Sequence, residues 1–408
     1  MTKVLVVAPR FPAINQPWMD TYLAQLQVQN LPFVIYSANK EPDAYQEKVD
    51  TLGLREYVLP FSLCSAKQLI TQIFLSPLQF SKLFFSQSTS KKENGAPKIV
   101  NALKQLHFEK NNHHFSGVSV IHSHEEISGY EFLHLARLFK IPLVVTFHGL
   151  PPEGVGQLSS IKRHALYCYA SKIIVNTRFA REQVVSLGAP RDKVVVLPQG
   201  LPIADFPFTE RNAPRSDDVV CLLSVGRYQR DKGQHYTLIA LRRLLDAGIN
   251  AELNLVGVGS SGKAWLQKLI GKLGLQKNVL FYENVSSHDL AALYKGCHLF
   301  VLASTSSKSG AHTETQGVVI QEAQSSGLLP IVTHVGGIPE CVIDGENAML
   351  IKDRSSRAIF TAVSDLISRP EDWARLQSNA RHHVEENFSD RLIGERMSEL
   401  LVAESNAF

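Results

Sequence analysis

The sequence predicts an α/β protein built on two doubly wound parallel sheets. Twelve short apolar runs rich in β-branched residues recur along its 408 residues, and helix-length segments separate them. Their hydrophobicity is continuous rather than alternating, which is typical of strands buried on both faces of a parallel sheet. Because twelve strands are too many for one ordinary doubly wound sheet, we expect two sheets of about six strands each.

Six of these runs lie in the first half of the chain and six in the second. Each is followed by a segment long enough to return as a helix or by a polar turn, which is the alternation of βαβ units. In chain order the predicted strands are Val4–Val7, Phe33–Tyr36, Val118–Ile121, Leu143–Thr146, Ile173–Val175, Val194–Leu197, Val219–Val225, Leu253–Val256, Val279–Phe281, Leu299–Leu302, Leu329–Val332 and Met349–Ile351.

The boundary between the two sets of strands falls in the polar segment Phe206–Asp218. This segment contains two prolines and lies between the last strand of one set and the first of the next. We therefore expect one domain over residues 1–205 and a second over residues 206–385. The tail Pro370–Leu401 has apolar residues at helical spacing, so it predicts helices, the last of them within residues 386–408.

Composition and charge exclude several classes of protein. Hydrophobic residues make up 44% and charged residues 20% of the chain, as in folded globular proteins and unlike disordered ones. The net charge of +4 is unevenly spread, because residues 1–200 carry 21 Lys and Arg against 14 Asp and Glu. This surplus suggests an anionic partner for the first half. We expect no nucleic acid partner.

Cysteine spacing and the lengths of apolar runs bear on the compartment. The five cysteines lie far apart and include no C-x-x-C pair, which favours a reducing cytoplasm over a disulfide framework or a zinc cluster. The first apolar run ends at Arg10, and no stretch approaches the roughly 20 apolar residues of a membrane-spanning helix. We therefore expect neither a signal peptide nor a transmembrane anchor.

Residues 64–98 form a basic aromatic stretch. Its Leu, Ile and Phe residues are mixed with Lys67 and Lys82, and seven lysines lie between residues 67 and 110 against two glutamates. One interpretation is an amphipathic surface that lies on an anionic membrane or grips a lipid-linked ligand. The other is a pair of helices packed in the core, followed by a solvated loop. The sequence alone leaves both open.

A cationic motif follows the predicted strand Val219–Val225. It runs from Gly226-Arg227 to Lys232-Gly233, and glycine at a strand end lets the backbone turn sharply beside a ligand. Ligands of open α/β sheets bind beyond the carboxyl ends of the strands. Arg227 and Lys232 could hold a diphosphate there, because guanidinium and ammonium groups are complementary to phosphate oxygens. The alternative is two solvated surface cations.

A second motif places two carboxylates seven residues apart, at Glu314 and Glu322. Gly317 predicts a turn into a helix that holds Val318–Ser325, and the free N–H groups at such a helix start would face an anion. The two carboxylates would lie at different depths of one cleft, where they suit hydrogen bonds from sugar hydroxyls. The alternative is an ordinary pair of solvated glutamates.

Two further motifs follow predicted strands. The segment Val335–Glu340, with sequence VGGIPE, has the glycines and proline of a tight loop, and a structural turn explains most of it. The other is the segment Thr146–Gly149. A lone histidine is more often structural than catalytic, but the place of His148 at a strand end beside glycine favours a role in a site.

In their order and spacing, these motifs resemble the retaining glycosyltransferases of family 4, which have the GT-B fold. The segments Leu187–Gly200 and Asp344–Asn347 agree with that family as well. The loop after the first strand lacks the Gly-Gly pair of many members. It is similar instead to the subgroup that builds bacterial exopolysaccharide and lipopolysaccharide.

The resemblance implies two Rossmann-like domains that face each other across a cleft. Residues 1–205 would bind the acceptor and residues 206–385 the nucleotide sugar, while the helix in residues 386–408 would pack back on the first domain. The family needs no bound metal or cofactor, so we expect none. The histidine pairs that could suggest a metal are His113-His114, His122-x-His124 and His382-His383.

The resemblance also implies residue roles. Arg227 and Lys232 would neutralise the donor diphosphate, Glu314 would bind the transferred sugar, Glu322 would bind the ribose, and His148 would reach the sugar from across the cleft. Further donor-binding candidates are Gly226, Gly257, Asn284, Val285, Gly317, Val318 and Val319, and the acceptor candidates are Asn15, Gln16 and His124.

The function implied is transfer of a hexose, with retention of configuration, from a UDP- or GDP-hexose to a saccharide acceptor. The acceptor would be lipid-linked, in surface polysaccharide assembly at the inner face of the cytoplasmic membrane. An alternative is a non-catalytic nucleotide-sugar-binding regulator or scaffold of that assembly. A dinucleotide-dependent oxidoreductase is disfavoured, because the first strand is followed by APRFPAINQ and not by G-x-G-x-x-G.

Overall fold

The computed structural model describes residues 2–11, 17–39, 49–50, 52–59, 78, 81, 112–149, 158–306 and 313–408. The candidate acceptor residues Asn15 and Gln16 lie outside these ranges, as does nearly all of the basic aromatic stretch. Within them, no helix is long and apolar enough to cross a membrane.

The first half of the chain forms a sheet of six parallel strands, as the apolar runs predicted. Its strands are β1 Val4–Arg10, β2 Phe33–Asn39, β3 Val120–His124, β4 Leu143–Phe147, β5 Lys172–Val175 and β6 Val194–Val196. They lie in the order β2-β1-β3-β4-β5-β6, and all neighbouring pairs are parallel.

The second half forms another sheet of six parallel strands, again as predicted. Its strands are β7 Val220–Val225, β8 Ala251–Val256, β9 Val279–Tyr282, β10 Leu299–Leu302, β11 Leu329–Thr333 and β12 Met349–Ile351. They lie in the order β12-β11-β10-β7-β8-β9, and every neighbouring pair is parallel.

Strand β3 differs from its predicted bounds, because it starts at Val120 and continues to His124. The predicted run Val118–Ile121 stopped where the hydrophobicity stops. In the sheet, pairing with β4 carries the strand further, with His122 opposite Val144 and His124 opposite Thr146. Backbone pairing thus extends the strand beyond the apolar run and places His122 and His124, whose spacing in the sequence is that of a strand end, at its carboxyl end.

Helices cover both faces of each sheet. In the described part of the first half they include α1 Pro17–Val28, α2 Glu126–Phe139, α3 Ser160–Tyr169 and α4 Arg178–Ser186. In the second half they are α5 Gln234–Asp246, α6 Ser260–Leu273, α7 Ser287–Gly296, α8 Val318–Ser325, α9 Ser356–Ser368, α10 Trp373–Asn387 and α11 Asp390–Ala407. The bounds of α8 agree with the predicted helix.

The last helix, α11, packs on the first half of the chain. Its Met397 and Leu401 are buried in one apolar cluster with Leu23 and Leu26 of α1. Just before α11 the chain returns beside the segment around Leu201, where it first passed from the first half to the second. Leu201 N donates to Phe388 O, and Asp390 N donates to Leu201 O. The two halves are therefore joined by two adjacent backbone segments.

Each sheet has one place where the chain reverses the direction in which strands are added. In the first sheet it lies between β1 and β3, and in the second between β7 and β10. Ligands of doubly wound sheets bind beyond the carboxyl ends of the strands at such a crevice. His124 ends β3, and Gly226-Arg227 follow β7 directly, so both crevices carry residues that the sequence had singled out.

Candidate active site

The cationic motif after β7 holds its two candidate residues in different environments. Arg227 is exposed and makes no ion pair with any described residue. Lys232 Nζ lies 2.5 Å from Glu314 Oε2, and each of the two side chains is 18% exposed. Ser304 Oγ, just beyond β10, donates to the same carboxylate oxygen at 3.5 Å. The chain thus pairs Lys232 with Glu314 at this edge and leaves the Arg227 guanidinium available to a ligand.

Helix α8 begins beside this ion pair. Gly317 is its N-cap residue at φ 76°, and no side chain caps the helix. The N–H groups at the start of a helix have no acceptor within it, so they favour an anionic ligand. Val318 and Val319 are the first two helical residues, and both are half-buried. Glu314, which pairs with Lys232, therefore lies directly before this helix start.

Glu322 lies one turn inside α8 and has a partner that the sequence did not indicate. Tyr294 of α7 donates from Oη to Glu322 Oε2 at 2.7 Å, and the tyrosine side chain is fully buried. Burial raises the pKa of the Glu322 carboxyl, and the Tyr294 hydrogen bond opposes this by stabilising the carboxylate. Tyr294 therefore fixes one oxygen of the carboxylate and leaves the other free to accept.

The other donor-binding candidates surround the same crevice. Gly257 follows β8, with its N–H bonded to Tyr282 O at 3.0 Å. Asn284 and Val285 follow β9; Asn284 is exposed in a left-handed conformation, while Val285 packs against the cluster that contains Tyr294. All three lie at the carboxyl edge of the second sheet, as does Gly226.

The first half contributes a histidine pair. His124 Nδ1 and His148 Nε2 lie 2.9 Å apart, at the ends of the adjacent strands β3 and β4. Burial lowers the pKa of His148 to about 3 and that of His124 well below its usual value, so both rings are neutral at pH 7. His148 Nδ1 and His124 Nε2 are buried without a hydrogen-bond partner in the described part of the chain.

Aromatic residues of α1 complete this cluster, and no local sequence pattern indicates their contact with the histidines. Trp18 stacks on His148, with ring centroids 3.5 Å apart. Tyr22 Oη lies 2.6 Å from His122 Nδ1, and His122 Nε2 lies 2.7 Å from Thr146 Oγ1. In an amphipathic helix such rings resemble core residues, so only the fold reveals their contact with the histidines.

A shared cavity and two hydrogen bonds connect the histidine cluster to the donor motif. His148 and Gln199 line one cavity of about 60 Å³. The Gln316 side chain accepts from Gln199 N at 2.8 Å and donates to Gln199 O at 3.1 Å. Since Gln316 immediately precedes Gly317, the histidine cluster and the start of α8 meet across one interface.

His122 and His124 are one of the histidine pairs considered as metal ligands, and they bond to neighbouring side chains, as described above. The other histidine pairs considered as metal ligands also have contacts: the ring centroids of His113 and His114 lie 3.9 Å apart, and His382 Nε2 lies 3.0 Å from Glu386 Oε1. Among the residues that the structure describes, no group of three or more His, Cys, Asp or Glu is arranged to hold a metal ion.

Comparison with solved structures defines the class of fold. The chain is similar to Anabaena HepE, solved in complex with UDP and glucose, with a TM-score of 0.74 and 17% identity over 99% of this chain and 100% of that one. It is also similar to sucrose-phosphate synthase from Thermosynechococcus elongatus, with a TM-score of 0.72 and 17% identity over the full length of both. The fold is therefore GT-B, two parallel α/β domains joined across a cleft.

Family models and curated relatives identify the family. Residues 206–383 match the model of glycosyl transferases group 1, and residues 90–205 match that of glycosyltransferase family 4. The chain therefore belongs to the glycosyltransferases that these two models describe, one for each half of the chain.

Among curated relatives, the D-inositol 3-phosphate glycosyltransferase of Pseudarthrobacter chlorophenolicus is 30% identical over 57% of this chain and 58% of its own length. A GDP-mannose-dependent phosphatidylinositol monomannoside mannosyltransferase of Mycolicibacterium smegmatis is 29% identical over 55% of this chain and 60% of its own length. The chain thus matches about three fifths of the length of these relatives.

Proposed function

We propose that this protein is a retaining glycosyltransferase that moves a hexose from a nucleotide diphosphate sugar to a saccharide acceptor. The observation that carries the proposal is the convergence at one edge of the second sheet. There the Lys232–Glu314 pair, the uncapped start of α8 and the half-buried Glu322 lie together. The cation and the free N–H groups suit a diphosphate, and the two carboxylates suit the hydroxyls of a sugar and of a ribose.

The donor diphosphate lies between the cations and the start of α8 in this proposal. Arg227 is free to bind phosphate oxygens, and Lys232 can bind them while it remains beside Glu314. The N–H groups of Gly317, Val318 and Val319 supply further donors. No metal is needed, because these groups together can neutralise the leaving diphosphate.

The sugar and the nucleoside occupy the two sides of the diphosphate. Glu314 accepts hydrogen bonds from hydroxyls of the hexose, and Glu322, held by Tyr294, accepts them from the ribose. The backbones of Gly226, Gly257, Asn284 and Val285 line the nucleoside side. Residues 206–385 thereby bind the donor, while residues 1–205 present the acceptor.

The chemistry is mainly electrostatic. Breaking the bond between the anomeric carbon and the diphosphate develops negative charge on phosphate and positive charge on the sugar. Preplaced cations and helix N–H groups stabilise the phosphate charge as it grows. The acceptor attacks on the face that the diphosphate leaves, and a diphosphate oxygen takes its proton. His148, neutral at pH 7, contributes a hydrogen bond to a sugar hydroxyl rather than a charge.

The donor nucleotide and the acceptor are open within this proposal. HepE is described with UDP-glucose, and the mycobacterial relative is GDP-mannose-dependent, so UDP- and GDP-hexoses are the donors to test. We propose a lipid-linked saccharide of a cell-surface polysaccharide as the acceptor, in line with the loop after β1. Thermal-shift screening with a panel of nucleotide sugars identifies the donor, because a ligand that binds only the folded state stabilises it.

Turnover decides between catalysis and regulation. The proposal expects release of UDP or GDP from the stabilising nucleotide sugar, by transfer to an acceptor or slowly by hydrolysis. Tight binding without release in the presence of any saccharide acceptor would overturn it in favour of a nucleotide-sugar-binding regulator.

Glu322→Ala is expected to weaken nucleotide binding about tenfold or more, since a hydrogen bond to a charged group contributes roughly 1.5–3 kcal/mol. Tyr294→Phe keeps the carboxylate but removes its partner, so we expect a smaller loss. Calorimetric titration with UDP and GDP measures the nucleotide affinity of both variants. Glu346→Ala, at an exposed glutamate of the same domain, is the control. Unchanged affinity in Glu322→Ala would remove the ribose role.

We also propose peripheral association with anionic membranes through the basic aromatic stretch, from the sequence alone. Each lysine near an anionic surface contributes about 1 kcal/mol, so changing Lys67, Lys82, Lys91 and Lys92 to Gln is expected to weaken binding to phosphatidylglycerol vesicles at least tenfold. Co-sedimentation measures this. The matched control changes four exposed lysines of the second half, Lys268, Lys272, Lys277 and Lys295. Equal binding by wild type and the first variant contradicts the proposal.

A further inference from the structure

The loop of the VGGIPE motif contains Glu340, whose carboxylate caps the start of helix α4 in the other half of the chain. Glu340 Oε2 accepts from Arg178 N at 2.8 Å and Glu340 Oε1 from Phe179 N at 2.7 Å. Arg178 Nε donates to the same carboxylate at 3.1 Å. The N–H of the third residue of α4, Ala180, donates to the Thr177 side chain at 3.2 Å. Three N–H groups at the start of α4 are thereby satisfied, two of them by a residue of the second half.

The same loop also supports the backbone that carries Glu314. Gly337 N donates to Glu314 O at 2.9 Å. A Cβ at Gly336 would lie 2.1 Å from Glu314 O, and one at Gly337 would lie 1.9 Å from Thr315 O. Since no side chain fits at either place, the two glycines allow the loop of Glu314 to rest directly on the VGGIPE loop.

Helix α4 contacts both loops. Thr177, its N-cap residue, donates from Oγ1 to Thr315 O at 2.8 Å. The start of α4, the loop of residues 313–317 and the VGGIPE loop therefore contact one another pairwise. Two of these three contacts cross between the halves of the chain, and Glu340 supplies the charged one.

We infer that Glu340 is a positioning residue, which makes the orientation of the Glu314 loop depend on contact between the two halves. This rests on the proposed function for the role of Glu314. The Glu340 contact is polar and its side chain is 21% exposed, so water can replace the α4 N–H groups when the halves separate. On separation Thr315 O loses the Thr177 donor, and the loop loses a support from the first half. Glu314 is then correctly placed only when the halves, and hence the acceptor side, are in contact.

Glu340→Ala separates this role from simple stability. We expect turnover of the donor to fall about 100-fold, because displacement of a group that positions the substrate by about 1 Å costs that much. The affinity for UDP or GDP should change less than threefold, since the nucleotide contacts lie within the second half. Small-angle X-ray scattering of the whole protein with the nucleotide bound should show an increased radius of gyration.

Graded variants and controls sharpen the test. Glu340→Gln is expected to restore part of the turnover, because its amide oxygen still accepts from one N–H of α4. Arg178→Ala removes the side-chain contact and keeps both backbone bonds, so its effect should be small. Glu346→Gln, in the same domain and exposed, should behave as wild type.

Two results would overturn the inference. One is a Glu340→Ala protein with wild-type turnover and an unchanged radius of gyration. The other is an equal loss of turnover, nucleotide affinity and unfolding temperature without a change in radius, as expected for a purely structural residue. If the wild-type protein neither binds nor turns over UDP-glucose or GDP-mannose, the proposed function fails, while the radii of gyration of wild type and Glu340→Ala measured without nucleotide still decide the role of Glu340 in the contact.

Discussion

Replacing Arg227 with alanine is expected to lower turnover about 10²–10³-fold, the usual cost of removing a group that stabilises charge in the transition state. The free energy of unfolding should not change, because the guanidinium is exposed and pairs with no described carboxylate. Steady-state release of UDP or GDP measures the first quantity and thermal unfolding the second. The affinity for the intact nucleotide sugar should fall much less than turnover, since the charge on the leaving phosphate grows only as the bond breaks.

Arg227 is a cleaner test than Lys232. Removing Lys232 would leave the Glu314 carboxylate unpaired in a partly buried place, so lost activity would mix with lost stability. The matched control is Arg230→Ala, in the same loop, whose guanidinium lies over the Trp265 ring at 4.6 Å. Wild-type turnover in Arg227→Ala, or an equal loss in Arg230→Ala, would show that the diphosphate is not bound where we propose.

The sheets could be predicted because their signal is local. Strands such as Leu253–Val256 and Leu299–Leu302 are short, continuous apolar runs, and both faces of each strand are covered in the fold. Helix α8 was predictable for a similar reason, since Gly317 precedes an uninterrupted helical segment. Strand β3 shows the limit, because its last residues are polar and are extended only through pairing with β4.

The candidate site was predictable where its residues belong to one motif, and not where they meet through the fold. The Tyr294–Glu322 bond spans 28 positions, and the contact of Trp18 with His148 spans far more. The VGGIPE segment was predicted to be a turn, and its glycines do allow a close approach. The contact of Glu340 with α4 depends on the docking of two domains, which no periodicity or spacing encodes.

Gly233→Ala is the substitution expected to cost the most stability. Gly233 lies at φ 66° directly before α5, and a Cβ there would lie 1.7 Å from Ala303 O. This turn is fixed to the chain beyond β10, because Thr305 N donates to Asp231 O at 2.7 Å. Neither backbone can yield without displacing Lys232, so we expect a loss of about 3–5 kcal/mol in the free energy of unfolding.

Gly248→Ala separates the two causes of that loss. Gly248 lies just past the other end of α5 at φ 83°, and a Cβ there would have no atom within 4 Å. Gly248→Ala therefore lowers the free energy of unfolding only through the left-handed backbone conformation, by about 1–2 kcal/mol. Urea unfolding followed by circular dichroism should give a clearly lower midpoint for Gly233→Ala than for Gly248→Ala. Equal midpoints would mean that the turn before α5 can move away from Ala303, and then Lys232 would not be held rigidly beside Glu314.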